Sequence, residues 1–292
     1  MSARPKRKRS ENTARSRQRR FDPNRAVTAD AALSAQIKTQ ARLGLSPMPP
    51  VSAAAAAQIA AAVKPGKERW PVKTGQDGGA AKVGQAVGST RQVIVDATVE
   101  ELVDMARPRD MRNVTTDPKA FRSRRAAPVE LTIWRITAHV TAVKNEDDGD
   151  LHLALQGESG ETMIAESVKP DATFVGKGNP WLPAMRRVRA AIQGELRSAL
   201  SGVTLVLASD GKFVPPDSFE SSRLAQAASG PRMDAADALD AGLAFKARIT
   251  PRKARLTGVG FFDRVHGQLG VAPKNGIELH PLLGFEWLEG RQ

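Results

Sequence analysis

VELTIWRITAHVTAV (Val129–Val143), NEDDG (Asn145–Gly149), DLHLALQ (Asp150–Gln156), GESG (157–160) and ETMIAE (Glu161–Glu166) decide the fold. The first segment is rich in β-branched and aromatic residues and is long enough for a bent strand. DLHLALQ alternates apolar and polar residues, and NEDDG and GESG supply turns, so the three runs predict a meander. Downstream, Trp181, Met185, Val188, Ile192, Leu196 and Leu200 recur at helical spacing and predict an amphipathic helix over Leu182–Leu200. Strands resume with AFKARIT (244–250) and ARLTGVGFF (254–262) and close with GIELHPLLGFEWL (276–288). Three strands, a helix and two strands is the order of an OB-like five-stranded barrel with its helix between strands 3 and 4. The expected class is mainly β, α+β.

Outward from this region the composition changes. Residues 1–65 are Arg-rich and then Ala-rich, with little to bury, and predict a disordered arm. Residues 66–127 predict a partly ordered extension, with a short strand in RQVIVD (91–96) and a capping box at Thr98-Val-Glu-Glu101 opening a helix. The barrel domain is expected over 128–289. An insertion at 202–243 carries VTLVLAS and DAADALDA.

The 292 residues contain no cysteine, which excludes a disulfide scaffold, a thiol nucleophile and any Cys-ligated metal. The formal charge of +13 is concentrated: residues 1–25 hold 10 basic and 2 acidic residues, a surplus of 8, which leaves 34 basic against 29 acidic in the rest. The runs made by Arg4, Lys6, Arg7, Lys8, Arg9, Arg15, Arg17, Arg19 and Arg20 suit nucleic acid or another polyanion. Arg186, Arg187, Arg189 and Arg197 on the predicted helix extend that expectation. The Ala-rich stretch at 52–63 begins too late to serve as a signal sequence, and RQRRFDP (17–23) has no apolar segment after it. A cytoplasmic protein with no membrane partner is expected; the oligomeric state is not legible.

The histidines and carboxylates carry the candidate chemistry. Residues two apart on a strand share a face, so Asp150 pairs with His152 and Glu278 with His280. Leu151, Leu153, Ile277 and Leu279 then face the core. With Asp263 and His266 at the following loop, these six are the catalytic candidates. His152, His266, Glu278 and His280 are the metal-ligand candidates, since their donor types suit zinc or another divalent ion. Such an ion activates water for phosphodiester or ester hydrolysis. The plainer expectation is that these residues decorate the barrel. In HGQLGVAPKNG (266–276) the spacing is not that of a phosphate loop, and Gln268, Lys274 and Asn275 are ligand-loop candidates at the barrel rim. No cofactor is expected beyond the candidate divalent metal.

GVGFFDRVHGQLGVAPKNGIELHPLLGFEW (258–287) resembles the C-terminal signature of a bacterial protein family, with a GVGFFD strand, an HGQ-x-G turn and an NGIELHP strand. EDDGDLHLAL, ETMIAE and RWPVKTGQD (69–77) resemble the same family's central and N-terminal motifs, and Lys274 is a one-residue departure. The resemblance brings no activity or catalytic residues with it. Asp148-Gly149-Asp150 resembles a tripeptide of staphylococcal-type nucleases, which also have an OB barrel. The arginine those enzymes place after the third strand is missing from ESVKPD (166–171). With no complete catalytic constellation, the leading expectation is a non-enzymatic binding or accessory protein whose cationic arm contacts nucleic acid or another polyanion. The alternative is a metal-dependent hydrolase using the His/carboxylate residues, decided by whether those side chains converge.

Overall fold

The computed structural model describes residues 68–85, 93–111, 119–208, 211–216, 231–265 and 271–288. The cationic arm with its Arg4 to Arg20 runs, His266 and Gln268 lie outside them.

The framework is two long strands. β2 (Ile133–Asn145) and β8 (Phe245–Phe262) pair antiparallel from Ile133 opposite Val259 to Asn145 opposite Phe245. The runs AFKARIT and ARLTGVGFF are thus parts of one strand. Pro251 is tolerated because the register shifts there: between Val140 and Ala142 one residue of β2 faces three of β8. A residue without an N–H costs no ladder bond inside such a bulge.

β3 (Leu151–Gln156) and β4 (Thr162–Ser167) complete the meander. β9 (Ile277–Trp287) then inserts between β4 and β8, parallel to β4 through Ile164–Glu278 and Ala165–Leu279 and antiparallel to β8. A short β1 (Ile94–Asp96) lies parallel on the start of β2, and β5 (Thr204–Leu207), β6 (Phe213–Val214) and β7 (Arg232–Asp234) extend the far edge. The result is one mixed sheet of nine strands in the order β1-β2-β3-β4-β9-β8-β6-β5-β7, with β2 also paired to β8. The mainly β, α+β class therefore stands. The expected five strands become nine because residues 202–243 contribute three short strands to the same sheet and residues 94–96 one more.

The helices follow local chemistry. α1 (Trp70–Thr74) is a short turn of helix with Pro71 in its first turn, closed by Gly75 at φ 73°. α2 (Val99–Val103) is opened by the predicted capping box, with Thr98 accepting from the Glu101 amide and Glu101 from the Thr98 amide. After α3 (Ala172–Val175), α4 spans Leu182–Leu200, and Val188, Ile192, Leu196 and Leu200 join Leu151, Leu153, Leu155, Met163, Ala165, Ile277 and Leu279 in the main core. α5 (Ala235–Asp240) buries its alanines in the same core. No helix among the described residues is long and apolar enough to cross a membrane.

The segment carrying α1 is tied down by two buried arginine pairs. Arg69 donates to both oxygens of Glu130 at 2.7 Å and to the Phe121, Arg124 and Phe262 carbonyls. Glu130 also accepts from the Ala126 and Phe262 amides. Arg125 grips both oxygens of Asp77 and donates to the Val72 and Glu130 carbonyls. Bidentate geometry with every remaining lone pair used is the condition under which a buried ion pair holds. Replacing Glu130 by Ala strands the Arg69 guanidinium and should cost about 3–5 kcal/mol in urea unfolding. A loss under 1 kcal/mol would show that the pair does not anchor this segment.

Candidate functional site

The hairpin between β3 and β4 builds the first half of the site. Its turn fixes Gln156 opposite Thr162, and counting back places His152 opposite Glu166. On the other side of β3, Lys144 of β2 lies opposite His152. The parallel seam with β9 then sets Glu278 beside Ile164, which brings His280 level with Glu166. β8 contributes Phe261 opposite Glu278, and Asp263 follows two residues later. Chain-distant polar residues therefore share one face of the sheet, while their odd-numbered neighbours on β3 and β9 fill the core as expected.

This polar face is not exposed decoration. Asp150, His152, Glu166, Asp263, Glu278 and His280 are all buried. The 69–77 segment covers them and lowers Lys73 into the group, its Nζ 3.5 Å from Asp263, 3.6 Å from Glu166 and 3.7 Å from Glu278. His152 Nε2 lies 2.9 Å from Glu166 and its Nδ1 3.4 Å from Glu146. His280 Nδ1 touches Glu166 and lies 3.4 Å from Glu278, and its Nε2 is 3.8 Å from Asp150. Asp150 accepts from the Lys169 amide. Behind it, the buried Arg189 donates to the Ser167 and Gly149 carbonyls. Within the group, the side chains of Lys73, Glu146 and His152 keep slight exposure, 12%, 17% and 8%.

Two triads stand out. Asp150, Glu166 and His280 each offer a ligand atom within 4.8 Å of the others, and so do Glu166, Asp263 and Glu278. Glu166 belongs to both. Among the described residues, Glu278 Oε1, His152 Nδ1 and His280 Nε2 are buried and meet charged partners only at 3.4–3.8 Å, without a directed hydrogen bond. Buried polar atoms almost always find hydrogen bonds, so a convergent group without them is the donor arrangement of a cation site.

The proton affinities fit that description. Burial, with Glu166 and Asp263 as neighbours, pushes Glu278 well above the carboxylate range, and burial with Asp148 lifts Asp150 to about 7. Burial alone would raise Glu166 too, but His152, Lys73 and His280 outweigh it and hold it well below. Burial opposes the charge on Lys73, yet Asp263, Glu166, Glu278 and Asp150 carry it well above its ordinary value. For His152 burial is likewise outweighed, chiefly by Glu166 and then Glu146, and the imidazole rises to about 9. Arg189 is lowered by burial to about 10 despite Asp150 and Asp148. Two carboxyls of the group thus favour a proton where positive charge is short.

No family model, curated protein or solved structure matches the chain. The site is consequently read from its own residues. Of the six catalytic candidates, Asp150, His152, Asp263, Glu278 and His280 come together, and His266 lies outside the described residues. Of the metal-ligand candidates, Glu278 and His280 fall in the triads, and His152 stands beside Glu166. In the ligand loop, Lys274 is exposed, whereas Asn275 donates to the Leu102 and Met105 carbonyls and accepts from the Ile277 amide, so it staples its own loop. Arg189 faces inward, unlike Arg186, Arg187 and Arg197, and is not available to a polyanion.

Sequence reading omitted Glu166 and Lys73 as site residues. Glu166 was legible: the hairpin is symmetric about Ser159, and Glu166 stands seven residues after it as His152 stands seven before. Lys73 was not, because its place depends on how 69–77 folds back across the sheet; its only signal is membership of the VKTG motif. In metal-free protein, an NMR titration should find His152 deprotonating near 9. In E166Q, which removes the leading source of that rise, the midpoint should fall; an unchanged midpoint would contradict the pairing.

Proposed function

We propose that this protein is a divalent-cation-dependent hydrolase acting on phosphodiesters, with its ion held by Asp150, Glu166 and His280. The supporting observation is the convergence of two ligand triads on one buried glutamate, with three buried polar atoms of the group lacking directed hydrogen bonds. A bound ion lowers the pKa of a coordinated water and polarises the scissile group. The water oxygen would bond to phosphorus as the bond to the leaving oxygen breaks, with the water proton passing to solvent and the protonated His152 donating its proton to the leaving oxygen. Lys144, opposite His152 and partly exposed, suits an anionic substrate over a neutral ester. Convergence of these side chains is what favours this reading over a purely non-enzymatic role.

The pairing circuit β2-β3-β4-β9-β8 and back to β2, with α4 between the third and fourth of these strands, supports reading them as an OB-type core to which the other strands are added. The segregated charge of residues 1–25 supports a complementary role for the arm, contacting nucleic acid or another polyanion and concentrating phosphodiester near the site.

Full-length protein should bind Mn2+ and hydrolyse bis(p-nitrophenyl) phosphate, lose that activity to EDTA and regain it with Mn2+. E166Q should be folded and inactive. Binding without hydrolysis in Mg2+, Mn2+, Ca2+ or Zn2+ would sink the enzymatic reading, and no binding at all would sink the cation site with it. Deleting residues 1–25 should weaken DNA or RNA affinity and flatten its dependence on salt; equal affinity would exclude the arm as the contact.

A further inference from the structure

We infer that Lys73 is a built-in cation that fills the second triad, Glu166/Asp263/Glu278, so that the cluster takes one divalent ion with Lys73 in place and a second only when the ammonium is removed. This rests on the cation reading of the first triad and goes beyond it in assigning the stoichiometry and the residue that sets it.

Geometry carries the assignment. The three carboxylate oxygens nearest the ammonium belong to the same residues that form the second triad. Their distances of 3.5–3.7 Å exceed those of directed hydrogen bonds, so the ammonium sits among them as a point charge in a cage. The Phe261 ring, with its centroid 5.2 Å from Nζ, lines another side of the cage. Glu166 is common to both triads, and one carboxylate shared by two ions a few ångströms apart is the bridge of two-metal hydrolytic centres.

Charge bookkeeping points the same way. Arg189 and Asp148 offset one another beside Asp150. Four carboxylates then remain, Asp150, Glu166, Asp263 and Glu278. With His152 also carrying a positive charge and Glu146 offset by Lys144, one divalent ion and Lys73 balance the four carboxylates. A second ion added beside Lys73 would leave two uncompensated positive charges in the group, which low-dielectric surroundings penalise heavily. The backbone under Lys73 is fixed by Arg69–Glu130 and Arg125–Asp77, so the side chain alone decides whether the cage is filled.

The test is Mn2+ binding by calorimetry and electron paramagnetic resonance on the full chain. Wild type should bind one Mn2+ with the spectrum of an isolated ion. K73M should bind two, with the broadened signal of an exchange-coupled pair. One isolated ion in both proteins overturns the role of Lys73 and leaves the cation reading intact, whereas no ion in either folded protein overturns both. If K73M does not fold, E278Q decides: it should keep one ion because the first triad is untouched. Loss of that ion would place it in the second triad and overturn the inference. D150N should lose the ion in the same assay, and an ion retained there would likewise overturn the assignment.

Discussion

The buried pair of Arg69 and Glu130 is the interaction on which the rest of the site depends. It joins three parts of the chain that are far apart in sequence: the turn before α1, the segment leading into β2 and the last residue of β8. Taking two charges out of water is costly, and the return comes only where geometry is bidentate and every remaining polar atom is used. Both conditions are met. The consequence is a fixed cover over the polar face of the sheet, with Lys73 pointing into it.

That cover answers an electrostatic problem set by the strands. Like charges about 4 Å apart repel by about 4 kcal/mol at the effective dielectric of a protein site. β4, β9 and the end of β8 set Glu166, Glu278 and Asp263 within such distances. Lys73, His152 and protons on Glu278 and Asp150 relieve the repulsion in part, and it is the incomplete relief that makes the group a place for a cation. Fold and chemistry are therefore linked: the parallel seam of β4 and β9 juxtaposes the carboxylates, and the arginine pairs hold the counter-charge over them.

Much of this was legible because it is local. Alternation in DLHLALQ separated Asp150 and His152 from the core leucines, and the carboxylate-x-His spacing did the same for Glu278 and His280. The helix over Leu182–Leu200 followed from its apolar period, and the capping box of α2 from Thr98 and Glu101. Two features were obscured by rules that are locally sound. AFKARIT and ARLTGVGFF looked like separate runs, and a bulge joins them in β8. The short apolar runs in 202–243 looked like an insertion, yet β6 pairs with β8 and carries β5 and β7 onto the same sheet.

The sequence by itself determined which residues alternate, which turns close the hairpin and hence which side chains share a face, because these depend on backbone geometry over a few residues. It also determined that the charge surplus lies in the first 25 residues. Only the tertiary structure decided that β9 enters parallel to β4, that 69–77 folds across the polar face and that Lys73 stands among three carboxylates. Those outcomes rest on contacts between distant segments: Arg69 is 61 residues from Glu130 and 193 from Phe262. No local preference of the chain encodes which distant groups will meet.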